Sequence, residues 1–225
     1  MTSTDTPTVM MDKLAEAAWA QLADMSPRAL HIDEIAAAAG IAPIAARAVS
    51  GSITALILHQ LARLDRQAIL ESLADIEDAG EVPVRDKIME ALMHRFEVYA
   101  PYRVQMIQLE AAARRDPFLG LRLVEARLQA TRMLLRMAGD DLAGFRGEAR
   151  VRGVTGLAMV VARVWRTDDT PDLSMTLKEI DKRLATAEEW GRTFRVLDGG
   201  AASAGDFYDP GDQGPVENGP GGRYQ

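Results

Sequence analysis

The stretch IDEIAAAAGIAPIAARAV, residues 32–49, decides the fold. Ile35, Ala36 and Ala39 fall on one face of a short helix predicted over 32–39, with Asp33 and Glu34 in the first turn, where the helix dipole favours anions. Gly40 ends that helix, since glycine accepts the left-handed backbone a helix stop requires. Pro43 suits the first position of a second helix over 43–49, because no intrahelical donor is lost there. Ile41 fills the angle between the two, and Ala45, Ala48 and Val49 are read as the inner face of the second. Side chains this small let two short helices cross closely, the requirement of a helix-turn-helix. In that reading Ala42, Pro43, Ile44, Ala46 and Arg47 face outward and meet DNA. The spacing by itself fits equally an alanine-rich hairpin that only packs.

Working outward, apolar periodicity and proline punctuation predict helices over 10–24, about 52–77 with Ser52 as cap, 83–99, 101–114, 117–138, 142–166 and 171–195. No alternating Val/Ile/Thr-rich run predicts a strand and no repeat period emerges, so the class is all-α. The expected domains are a helix-turn-helix module at 1–51 (1–9 flexible), a helical ligand-binding and dimerisation body at 52–197, and a disordered tail at 198–225. From residue 199 onward the chain holds eight of the 18 glycines and three of the ten prolines, a composition that cannot bury enough apolar surface to offset chain entropy.

Composition narrows the function classes. The 225 residues contain no cysteine, which excludes disulfides and thiolate metal sites. The start MTSTDTPTVMMDK has neither a basic opening nor an apolar run, and the longest apolar stretch, 153–162, is too short to span a bilayer, so a cytoplasmic protein without integral membrane association is expected. His31, His59 and His94 show no metal spacing, no glycine-rich loop follows a strand, and no Ser-His-Asp grouping is visible. Catalysis, a cofactor and a metal are therefore not expected. The net charge of −7 opposes long-range attraction to nucleic acid. Residues 1–64 hold Lys13, Arg28, Arg47 and Arg63 against six carboxylates, and of the outward positions on helix 43–49 only Arg47 offers a bidentate base contact.

In layout, with a three-helix opening, a connecting helix and a longer helical body, the chain resembles the TetR family of dimeric repressors. It keeps Ile35-Ala36, Ala39-Gly40, Ile41 and Ser52 of that family's motif, and has Arg47, Ser50 and Ile53 where the family carries Tyr, Phe and a phosphate-contacting Lys. A second similarity, to the COQ9-like branch of the same fold, rests on GIAPIAARAV (40–49), VRDKIMEALMHRFEVYAPYR (84–103), AGD (138–140) and VWRTDDTPDLSMTLKEIDKRLATAEEW (164–190). The first resemblance implies a dimeric DNA-binding transcriptional regulator responding to a small apolar ligand, with double-stranded DNA as partner. The second implies a lipid- or partner-binding protein, a ubiquinone-biosynthesis accessory, whose helix-turn-helix no longer reads DNA.

The body offers two candidate surfaces. Leu173, Leu177, Ile180, Leu184 and Trp190 recur at heptad-like spacing, and Ala149, Gly153 and Gly156 form a small-residue stripe on the preceding helix. Together they are expected to form a two-fold four-helix interface, although the same pattern suits packing within one chain. Met89, Met93, Phe96, Tyr99, Tyr102, Met106, Met133 and Met137 are the expected lining of an adaptable apolar pocket, or equally an ordinary core.

Overall fold

The computed structural model describes residues 6–79 and 81–202, with side chains described for all of these except 78, 79 and 190–202. Nine α-helices and no strand form among the described residues: α1 (Pro7–Gln21), α2 (Ile32–Ala38), α3 (Pro43–Val49), α4 (Ile53–Ala79), α5 (Val84–Tyr99), α6 (Arg103–Ala113), α7 (Pro117–Met137), α8 (Gly144–Trp165) and α9 (Ser174–Ala202). Helix α1 begins three residues ahead of the reading, because Thr6 caps it and Pro7 occupies its first turn. Ser52 does cap α4, its hydroxyl accepting from the Ala55 amide at 3.3 Å. Helix α9 runs past the predicted edge at 197, and the rest of the tail, 203–225, lies outside the described residues.

Residues 1–185 make one compact unit, and 186–225 form a second. In the first unit, α1 packs against α2, α3 and α4 to make the N-terminal module. Leu14, Trp19, Leu22 and Ile35 are buried there, and Leu56 and Ile57 of α4 are fully buried as well. Each such side chain stabilises the fold by roughly 1.5–3 kcal/mol. Helix α4 continues into the body, where it lies against α5 and α7, while α8 packs on α7 and α5.

Two loops show why short motifs in the body are built as they are. The AGD stretch ends α7: Gly139 takes φ +97°, and the Asp140 amide reaches the Leu135 carbonyl at 2.9 Å. In the DDTPD loop ahead of α9, buried Asp168 accepts from Thr170 (amide 3.2 Å, hydroxyl 2.5 Å) and from Thr176 (amide and hydroxyl both 2.7 Å). Burial alone would raise its pKa, but these four donors outweigh it and hold the carboxyl at about 2.

The expected seam needs correcting. Leu173, Ile180 and Leu184 are buried within their own unit, and only Leu177, at 39% exposure, faces outward among the described seam residues. A heptad stripe says that a face is covered but not which chain covers it. Trp190 lies outside the described side chains. Ala149, Gly153 and Gly156 are exposed, and the space a Cβ would enter at Gly153 and Gly156 is open. No single helix among the described residues is long and apolar enough to cross a membrane.

Candidate functional site

The turn between α2 and α3 follows from its backbone. Gly40 adopts φ +67°, its amide donates to the Ala37 carbonyl (3.1 Å), and the Ile41 amide donates to the Ala36 carbonyl (2.9 Å). This paired closure satisfies the last carbonyls of α2 and turns Ile41 inward, where it is 8% exposed. Helix α3 then meets α4 at a bend of 69°.

On α3, Ala42, Pro43, Ile44 and Arg47 are exposed as expected, but Ala46 is fully buried and Ala48, read as inner, is exposed. The buried stripe of α3 thus runs through Ala46 with Ala45 and Val49 beside it. Alanine at 42, 45, 46 and 48 gives the sequence no polarity contrast from which to set that rotation. What faces solvent is chiefly Ile44, 80% exposed. Arg47 is held by Asp33 of α2, with its guanidinium 2.5 and 2.6 Å from the two carboxylate oxygens. The other arginines of the module and its flank are also paired: Arg28 with Asp116 at 3.2 Å, and Arg63 with Asp12 at 3.6 Å.

The body contains a cavity of ≈ 400 Å³ between α4, α5, α6, α7 and α8. Phe96, Tyr99 and Met106 of the predicted pocket line it, together with Leu61, Leu109, Leu123 and Trp165. Met89, Met93, Tyr102, Met133 and Met137 do not. Met89, Met93 and Met137 pack into the surrounding core, and Met133 lines a separate shallow recess with Leu58 and Ala62. Tyr102 instead meets Trp19 of the module edge to face, with ring centroids 6.3 Å apart. Methionine spacing could not separate wall from filler, because a flexible thioether packs well in either place.

Two cavity residues, Arg95 and Tyr99, belong to a buried polar triad that the sequence did not reveal. Asp65 of α4 accepts a short hydrogen bond from the Tyr99 hydroxyl and lies 2.8 Å from Nε of Arg95, which also donates to Tyr99 at 3.1 Å. Burial pushes the Tyr99 phenol well above its ordinary range, so it remains a neutral donor. For Arg95 burial acts downward, but the Asp65 carboxylate more than offsets it and the guanidinium stays charged. Trp165 is fixed above by donating to the Phe96 carbonyl at 3.1 Å.

Arginines complete the lining: Arg114, Arg127, Arg163 and Arg166 join Arg95, with Glu110 as the one carboxylate among the lining residues. Arg127 and Arg166 both bind Glu110, at 3.2 and 2.5 Å. Elsewhere, ligand atoms of Asp75, Glu90 and His94 lie within 4.8 Å of one another between α4 and α5, a grouping invisible in linear spacing. Nε2 of His94 already lies 2.9 and 3.2 Å from the carboxylates of Asp75 and Glu90.

No protein-family model and no curated protein matches the chain. Solved structures do. A TetR transcriptional regulator from Nitrosomonas europaea aligns with a TM-score of 0.62 at 14% identity, covering 80% of this chain and 98% of that one. TetR-family regulators from Streptomyces coelicolor (0.54, 19% identity, 83% and 90% covered) and, as a putative member, from Rhodococcus sp. (0.54, 16%, 78% and 98%) align similarly. The fold is therefore TetR-like.

Proposed function

We propose that this protein is a dimeric, ligand-responsive regulator of transcription, in which the α2–α3 module reads DNA and the cavity in the body holds the effector. The observation that carries this reading is the double use of α4. Leu61 of α4 lines the cavity, while His59 and Arg63 on the same turns hold Asp12 of α1 at 2.7 and 3.6 Å. A ligand that displaces α4 must therefore drag the module with it. Tyr102, placed between cavity residues Tyr99 and Met106 in sequence and packed on Trp19, gives a second connection.

An effector shifts DNA affinity only if it binds one module spacing better than the other, and this requires two modules. The exposed Ala149, Gly153 and Gly156 stripe on α8 supports close approach of a second copy. The relatives of known structure named as transcriptional regulators add support at the level of fold.

A second reading, a lipid- or partner-binding protein that has given up DNA, is favoured by one feature. The outward face of α3 is led by exposed Ile44, with its single arginine already paired to Asp33. Chromatography on calf-thymus DNA separates the two. Retention at low salt that is lost as salt rises supports the regulator. Flow-through of a protein that carries co-purified lipid supports the alternative.

A further inference from the structure

The cavity is electrostatically the reverse of the chain around it. The protein carries a net charge of −7, yet five arginines and one glutamate line the cavity. Internal partners account for part of this charge. Asp65 neutralises Arg95, and Glu110 is shared by Arg127 and Arg166, two guanidinium groups on one carboxylate. Arg114, at the end of α6, and Arg163, on α8, form no side-chain hydrogen bond or ion pair among the described residues. Positive charge is thus left unmatched beside walls made of Phe96, Met106, Leu109, Leu123 and Trp165.

This arrangement discriminates among ligands. Arg114 and Arg163 are exposed and keep their water, so a neutral apolar molecule in the cavity gains no hydrogen bond from them. A cation adds repulsion. An oxyanion compensates the charge with planar, charge-assisted hydrogen bonds, for which the guanidinium fork is well shaped. A cavity of ≈ 400 Å³ also falls within the range that encloses a ligand of drug-like size.

We infer that the cavity takes an anionic amphiphile, its apolar body between Phe96, Leu123 and Trp165 and its carboxylate or phosphate head at Arg114 and Arg163. This inference rests on the proposed reading that the cavity is the effector site, and it narrows the effector from an apolar molecule to one with an acidic end.

The test is calorimetric titration of the full chain with dodecanoate, dodecyl phosphate and methyl dodecanoate, each below its micellar concentration. At least one anion binds about tenfold or more tightly than the ester, as expected for charge-assisted hydrogen bonds; which anion leads identifies the head group. In the R114Q/R163Q variant the anion's affinity falls toward that of the ester and the preference collapses. Equal binding of anions and ester, no binding of any of the three, or a preference that survives in the double variant overturns the inference. Met159→Trp, at a partly exposed lining position, separates this failure from failure of the cavity reading. If that plug abolishes binding of ester and anion alike while the wild type shows no preference, the cavity stands and the head-group inference falls. If the plug leaves anion binding untouched in a protein with unchanged circular dichroism, the cavity is not the site.

Discussion

The helix-turn-helix module and the cavity use arginine in opposite ways. In the module, Arg28, Arg47 and Arg63 each lie against an aspartate of the same chain. Around the cavity, Arg114 and Arg163 have no carboxylate partner among the described residues, and Arg127 and Arg166 share a single glutamate. Positive charge available to a ligand therefore sits in the body rather than on the outward face of α3. The lesson is that a count of basic residues says little about anion binding until the internal carboxylates have been assigned. It also explains how an acidic chain with a TetR-like fold can present a cationic pocket.

The contrast can be tested at several points, beginning with the largest effect. Asp65→Ala leaves the buried Arg95 guanidinium without its carboxylate, so the body should lose about 3–5 kcal/mol of stability in urea unfolding. A loss below about 1 kcal/mol would mean that the triad is not the buried pair described. Asp168→Asn comes next. It removes a carboxylate that accepts four hydrogen bonds, and a cost of about 2–3 kcal/mol is expected. Because Asp168 titrates near 2 in the fold against 3.8 when unperturbed, its contribution is complete above pH 4 and disappears as pH falls toward 2. The wild type should therefore destabilise across that window more steeply than the Asn variant, as read by thermal melts at stepped pH.

The module responds differently. If α3 reads DNA through its one arginine, Arg47→Ala lowers operator affinity by a factor corresponding to about 1–3 kcal/mol. Asp33→Asn, which releases Arg47, should raise affinity, yet shift stability by no more than about 1 kcal/mol because both partners are more than half exposed. An unchanged affinity in both variants, measured by fluorescence anisotropy, would remove Arg47 from the reading face.

The elements were legible because punctuation was strong. Gly40, Pro43, Ser52 and Pro117 each sit where backbone geometry admits few alternatives, and the helices follow. Orientation was harder to read. An alanine-rich α3 could not announce that Ala46, rather than Ala48, turns inward. Leu173, Ile180 and Leu184 show a sound apolar stripe that the chain covers for itself. The cavity was half legible: Phe96, Tyr99 and Met106 belong to it, whereas Tyr102 went to the junction with Trp19. Its arginines escaped notice because they come from α5, α6, α7 and α8, and only tertiary packing brings them to one cavity. Asp168 was hidden for a related reason, since a solvated Asp and a buried one with four donors look the same in a DDTPD string.

The central claim is that α4 couples an occupied cavity to a module that holds DNA. Fluorescence anisotropy of a labelled duplex carrying the sequence upstream of this protein's own gene, titrated at about 50 mM salt with and without dodecanoate, tests it most directly. The account predicts tighter binding than to a scrambled duplex, and a change in affinity on adding dodecanoate that Met159→Trp abolishes. Indifference of the protein to both duplexes, or an operator affinity that dodecanoate leaves unmoved while calorimetry shows the cavity filled, would contradict it.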